Sequence, residues 1–139
     1  MKLLVFDIGS NSVRTLRVTQ DAGFLPQFSG KRVYTTRLAE GLAETNALSQ
    51  ARMLQSLLVI RSLHGEHAAQ GFSSFAYATS AVRDATNGYA FIDSVEEIIG
   101  KGHARILSGK EEASFAQLGA NPDGGRIIID IGGGSTQIV

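Results

Sequence analysis

The sequence contains no cysteine and no tryptophan, and only two prolines among 139 residues. Without cysteine, disulfides, thiolate-ligated zinc and thiol nucleophiles are excluded. Neither charge is in excess, since thirteen Lys and Arg balance thirteen Asp and Glu. Such a chain has no broad basic character with which to capture a nucleic-acid duplex or an anionic membrane. A small anion site remains compatible, because a few local donors decide it. The opening MKLLVFDIGS turns acidic too soon for a signal peptide or a membrane span. The chain reads as cytoplasmic, starting directly on a core strand. Its length suits one domain, and with 43% hydrophobic residues it can bury a core.

The pattern along the chain is that of an α/β domain. Lys2–Ile8 is a short apolar run closed by turn residues, and Val13–Thr19 alternates; both read as strands. A third strand is expected within Phe24–Thr36. Ser49 reads as a helix N-cap with Leu48 and Met53 as its staple. Leu54, Leu57, Leu58 and Leu63 form the helix stripe, and Gly65 the stop. Phe72–Ala78 reads as a strand, followed by the loop ATSAVRDATNG. A helix from near Asn87 carries Phe91, Val95, Ile98 and Ile99 on one face and ends at Gly100. Ala104–Leu107 is a minimal strand, and Ser108 opens a helix to about Gly119. Asn121–Gly125 reads as a flexible loop, and Arg126–Ile131 as a parallel-type strand buried on both faces. Three strands followed by alternating helices and strands define the class.

An internal repeat carries more information. LLVFDIGSNS near the start matches RIIIDIGGGS near the end, with Asp7 on Asp130, Gly9 on Gly132 and Ser12 on Ser135. The offset, 130 − 7 = 123 residues, is a domain length rather than a solenoid period. The repeat suggests a duplicated domain, with residues 1–131 as one lobe. Residues 132–139 would open a second lobe that this chain does not contain.

Each copy places an aspartate at a strand end, where a lone buried carboxylate is costly. A metal or a ring of donors offsets that cost. Gly132, Gly133 and Gly134 let backbone N–H groups face a phosphate unobstructed, and Ser135 and Thr136 add hydroxyls. Gly9, Ser10, Asn11 and Ser12 repeat the plan. One such turn alone could be a hairpin with a capping Asp; two matched copies weaken that reading.

In SGKEEA, Ser108 and Glu111 have capping-box spacing, which gives Glu111 a structural task. Glu112 is free of the cap and shares a face with Phe115 and Ala116. Partial desolvation there would suit a general base, although a solvated helix-start glutamate is the plainer alternative. Arg83 follows a strand in a Ser/Thr-rich loop and could clamp a phosphate, with Thr79 and Ser80 assisting, or simply pair with Asp84 or another acid. Arg14 and Arg37 are weaker candidates. His64, His67 and His103 have no ligand spacing and read as surface or helix-end residues.

The four segments DIGSNS, ATSAVRDATN, SGKEEA and DIGGGST, in this order, resemble the exopolyphosphatase/guanosine-pentaphosphate phosphohydrolase family. That family lies in the actin and sugar-kinase superfamily. The resemblance implies an RNase H-like lobe with a mixed five-stranded sheet flanked by helices, and the repeated apolar-strand-then-DIG pattern puts Asp7 and Asp130 at neighbouring strand ends. It also implies that terminal phosphates are cleaved from inorganic polyphosphate or guanosine pentaphosphate. The two glycine turns would grip phosphates, and Asp130 with Asp7 would hold Mg²⁺ or another divalent cation. Glu112 would be the catalytic base, and Arg83 would stabilise the transferring phosphoryl group. The family's second turn ends in Glu where this chain has Gln137, which would weaken metal binding or alter function. An ATP-dependent enzyme of the wider superfamily, or a non-catalytic binder of polyphosphate or guanosine alarmones, are the competing readings. Apolar Ile138 and Val139 at the end suggest either disorder there or pairing with a second copy, as a homodimer.

Overall fold

A computed structural model describes residues 1–120 and 127–138. The expected loop at Asn121–Gly125, together with Arg126 and Val139, lies outside the described residues.

The sheet is mixed and five-stranded, in the order β3-β2-β1-β4-β5. Strand β1 (Lys2–Ile8) and β2 (Ser12–Thr19) form an antiparallel hairpin, and β3 (Gln27–Thr35) extends it at the edge. Strands β4 (Ser73–Ala78) and β5 (Ala104–Ile106) continue parallel to β1. The β2/β3 register shifts opposite Leu16, where Gly30 takes a φ of 64° beside the Arg17 guanidinium. A bulge of this kind bends an exposed edge strand, which limits unwanted pairing.

One face of the sheet buries Leu4, Phe6 and Ile8 of β1 and Ala76 and Ala78 of β4. Two long helices cover it. Helix α1 (Leu42–Thr45) is a single turn ahead of α2 (Gln50–Ala68). Helix α3 (Ser80–Asp84) lies within the stretch read as a loop, followed by α4 (Gly88–Ile99). Phe91, Val95 and Ile99 of α4 meet Ile60 and Leu63 of α2 in the core. Gly88 is required where α4 starts, because a Cβ there would collide with the Val82 carbonyl. Asn87 ties this start to Leu48 by bonding both its N–H and its carbonyl. Helix α5 (Gly109–Ala120) lies against the opposite face, with Phe115 6.2 Å from Tyr77 of β4.

Ser49 caps α2 as expected, accepting from the Arg52 N–H at 3.3 Å. Leu63 lies in the core and Leu57 packs against it, as the stripe predicts, but the rest of that helix differs. It runs past Gly65 to Ala68, and Leu54 and Leu58 are exposed. The buried positions are Ser56, Ile60, Leu63 and His67. Local bonds make the polar pair tolerable there: Ser56 donates to the Arg52 carbonyl and His67 Nδ1 to the Leu63 carbonyl. Of the three histidines, only His67 stands at a helix end, in the last turn of α2, and all three make specific contacts. His67 is buried edge-on to Phe72, His64 bonds Ser74, and His103 stacks on Phe75.

The strand expected at Arg126–Ile131 is also corrected. Strand β6 (Ile129–Ile131) pairs antiparallel with β7 (Thr136–Ile138) in a separate two-stranded sheet. Ile127, Ile129 and Ile131 are exposed rather than buried on two faces. The glycine turn closes locally, so the partner of β6 is the next strand along the chain. Asp130 therefore does not occupy a strand neighbouring that of Asp7.

Candidate active site

The repeat is structural. The Gly9 N–H donates to the Ser12 carbonyl at 3.0 Å, and the Gly132 N–H to the Ser135 carbonyl at 2.8 Å. Asp7 is the cross-strand partner of Arg14, and Asp130 that of Gln137, the residue aligned with Arg14. The expectation for the Gln137 side chain lies outside the described residues.

The first turn is held from behind. The N–H groups of Thr36 and Arg37 both donate to the Asn11 carbonyl, and that of Ala39 to the Ser10 carbonyl. Arg37 adopts φ 50° to do this, a conformation uncommon for a non-glycine residue. Ser10 Oγ lies 3.0 Å from Ser80 Oγ, which fixes the turn to the start of α3. The second turn rests directly on the first. A Cβ on Gly133 would stand 3.2 Å from that of Asn11, and one on Gly134 would overlap the Ser10 hydroxyl. Glycine permits the two turns to approach this closely.

Between the turns and α5 lies an open cavity of about 620 Å³. Asp7, Gly9, Ser10, Asn11, Ser12, Glu112, Asp130, Gly132, Gly133 and Ser135 all line it. Of the other candidates, Thr79, Ser80 and Arg14 line it too, whereas Arg83, Gly134 and Thr136 do not. Sequence reasoning put Phe115 and Ala116 on the Glu112 face but missed Tyr77, Leu107 and Ile131, which complete the cavity's apolar side.

The capping box forms as its spacing requires. Glu111 accepts from the Ser108 N–H and hydroxyl, both at 2.9 Å, and pairs with Arg105 at 2.8 Å. These bonds hold the Glu111 carboxyl below its ordinary range. Glu112 is left to face the cavity, its side chain only 15% exposed. Arg83 Nη1 lies 3.2 Å from Glu112 Oε2 and 2.9 Å from the Leu107 carbonyl oxygen. Ser135 Oγ lies 3.5 Å from the other carboxylate oxygen. Arg83 thus stands behind Glu112 instead of lining the cavity.

Asp7 is pushed above the ordinary aspartate range by burial, with the negative charges of Glu112 and Asp130 adding to the shift. Arg14, 3.6 Å away, opposes it. Three lining carboxylates thus face one lining arginine among the described residues. No group of three or more acidic or His side chains comes together at metal-binding distance among those residues.

A mixed sheet with helices on both faces, opening on a strand–glycine-turn–strand hairpin whose plan recurs after α5, defines an α/β lobe of the actin-like ATPase type. The chain belongs to the Ppx/GppA phosphatase family, whose model matches residues 18–139. The crystal structure of a Ppx/GppA family member from Aquifex aeolicus is similar over 99% of this chain and 46% of its own, with TM-score 0.83 and 26% identity. An exopolyphosphatase-like protein is similar over 99% of this chain and 44% of its own, with TM-score 0.82 and 25% identity. An exopolyphosphatase from Cytophaga hutchinsonii shares the fold, with TM-score 0.87 and 20% identity over 100% of this chain and 46% of its own. The chain therefore spans about half the length of the solved structures it matches.

Proposed function

We propose that this chain is the first lobe of a hydrolase that removes terminal phosphates from inorganic polyphosphate or guanosine pentaphosphate. On this reading residues 132–139 begin a second lobe. The carrying observation is the meeting, around one cavity, of two glycine turns and an arginine-held glutamate. The family membership supports phosphatase chemistry of this class.

The turn residues Gly9–Ser12 and Gly132–Thr136 bind phosphate oxygens through backbone N–H groups and hydroxyls. Glu112 orients a water and accepts its proton as the water oxygen attacks the terminal phosphorus. The phosphoanhydride P–O bond breaks, and the shortened chain leaves with that oxygen. No covalent enzyme intermediate is needed, because positioning and electrostatics carry such transfers. Arg83 holds Glu112 in place, the pairing with an acid that the residues alone left open, instead of the phosphate contact that the resemblance implied.

The donor set suits a divalent cation. Mg²⁺ uses one or two carboxylates and completes its shell with water and substrate phosphates. Asp7 and Asp130 would supply those carboxylates, and the excess negative charge around Asp7 is what a cation would relieve. When bound, the ion would neutralise phosphate charge. Phosphate release from polyphosphate or guanosine pentaphosphate by the whole enzyme, with no acceptor sugar present, tests the reading. Transfer that required an acceptor would favour a kinase instead.

A further inference from the structure

The first turn and Glu112 sit on separate pieces of the chain, and α3 lies between them. Helix α5, which carries Glu112, is not anchored by the core: every one of its residues is partly or fully exposed. Its position rests on side-chain links. Glu111 pairs with Arg105, Phe115 meets Tyr77, and Arg83 reaches both Glu112 and the Leu107 carbonyl. Arg83 belongs to α3, a helix of five residues whose N-cap, Thr79, makes no side-chain cap bond among the described residues. Ser80 opens that helix. Its Oγ lies 3.0 Å from Ser10 Oγ, and both residues are buried. The second turn closes on the same point, since a Cβ on Gly134 would come 3.0 Å from the Ser80 hydroxyl.

Attack on a terminal phosphorus requires the base to be held against the phosphate to within a fraction of an ångström. The first turn sets where the phosphate lies. The Ser10–Ser80 contact ties that turn to the start of α3, and Arg83, near the other end of α3, meets Glu112. Ser80 and Arg83 stand three residues apart, about one helical turn, so a shift at Ser80 is carried to Arg83. Two side-chain contacts therefore run in series from the phosphate grip to the carboxylate, with α3 as the rigid link. Ser80 also lines the cavity, but at 3% exposed it offers little surface to a ligand.

Resting on the proposed phosphate site, we infer that Ser80 is a positioning residue. Its hydroxyl ties the first turn to α3, and α3, through Arg83, holds Glu112 in register with the bound phosphate. Ser80 acts through Arg83 and not by touching substrate. It governs turnover and leaves affinity to the two turns.

The test is a double-mutant cycle on the whole enzyme, with phosphate release followed from polyphosphate and from guanosine pentaphosphate. Ser80→Ala should lower kcat about three- to tenfold, the rate equivalent of one neutral hydrogen bond, and change KM by less than about twofold. On an Arg83→Gln background the same substitution should cost nothing further, because the link it feeds is already cut. Ser80→Thr keeps the hydroxyl and should recover most of kcat, which separates the bond from a general folding defect. An unchanged kcat in Ser80→Ala overturns the inference, and so does a Thr enzyme as slow as the Ala enzyme. Effects of Ser80→Ala and Arg83→Gln that multiply in the double variant also overturn it, since the two residues would then act independently. A change confined to KM overturns it by making Ser80 a phosphate contact. All four outcomes leave the phosphate site standing. Absence of phosphate release from both substrates by the unsubstituted enzyme overturns that site, and the positioning role with it.

Discussion

Arg83 Nη1 stands 3.2 Å from Glu112 Oε2, joining residues 29 apart in sequence across the back of the cavity. The same guanidinium nitrogen donates to the Leu107 carbonyl, at the entrance to α5. Arg83 thus fixes both the carboxylate and the start of the helix that carries it. With its side chain only 28% exposed, this pair is less screened than a surface ion pair.

A positioning role for Arg83 has a kinetic signature. Arg83→Gln should lower kcat by roughly 100-fold, as expected when a reacting group is misplaced by about an ångström. KM should change little, and the effect should depend weakly on salt. Steady-state kinetics decides. A large rise in KM that steepens with ionic strength would mean that Arg83 contacts phosphate directly.

The close approach of the two turns can be tested at Gly134. Gly134→Ala places a methyl group against the Ser10 and Ser80 hydroxyls and must push the turns apart. Phosphate affinity should fall while the melting temperature hardly moves, since the second turn stands outside the main core. Gly88→Ala is the contrast. Its methyl group meets the Val82 backbone inside the packed core, and overpacking of that kind costs about 1–3 kcal/mol. Calorimetry on the two variants should separate a binding defect from a folding defect.

Asp7 gives a pH-dependent expectation. Burial and the neighbouring acids raise its pKa in the folded state. Below the unfolded-state pKa both states are protonated and nothing is lost. As pH rises from there toward the folded-state pKa, the unfolded chain gives up its proton first, and stability falls. Asp7→Asn should therefore raise the melting temperature at pH 7, with the gain vanishing below about pH 4. Asp7 is half-exposed, so the gain is expected to be small. Melting curves from pH 3 to 7 check the sign; a gain that grew toward acid would contradict it.

Local rules were legible in the sequence where the chain itself supplies both partners. The Ser108–Glu111 capping box and the paired turns at Gly9–Ser12 and Gly132–Ser135 are of this kind. So are the alternating strands β1 and β2. What escaped depends on distant partners or on polar groups satisfied locally. Hydrophobicity put Leu54 and Leu58 in the core of α2, yet the helix buries Ser56 and His67, whose bonds close within one turn. The apolar run at Ile127–Ile131 suggested a central strand, but its pairing is local. The meeting of Tyr77 with Phe115 needs β4 and α5 to pack, which no local pattern reports.

The chain by itself is expected to fold and to be close to inactive. Its core of α2, α4 and the five-stranded sheet is complete among the described residues, but the cavity is open on one side. Closure from a second lobe would exclude water and complete the phosphate grip. Exposed Ile129, Ile131 and Ile138 on β6 and β7 should drive pairing with a second copy in solution. Sedimentation and phosphate-release assays on the chain test both points. Robust turnover by a strict monomer would show that no further lobe is required.

On the proposed mechanism Glu112 activates the attacking water, and Glu111 only caps α5. The decisive measurement is phosphate release by the whole enzyme carrying each substitution, with substrate affinity measured alongside. Glu112→Gln should lower turnover by at least about 100-fold and leave substrate affinity nearly intact. Glu111→Gln should retain turnover and lower the melting temperature by a few degrees, since its bonds to Ser108 and Arg105 are lost. An inactive Glu111→Gln enzyme beside an active Glu112→Gln enzyme would reverse the two roles.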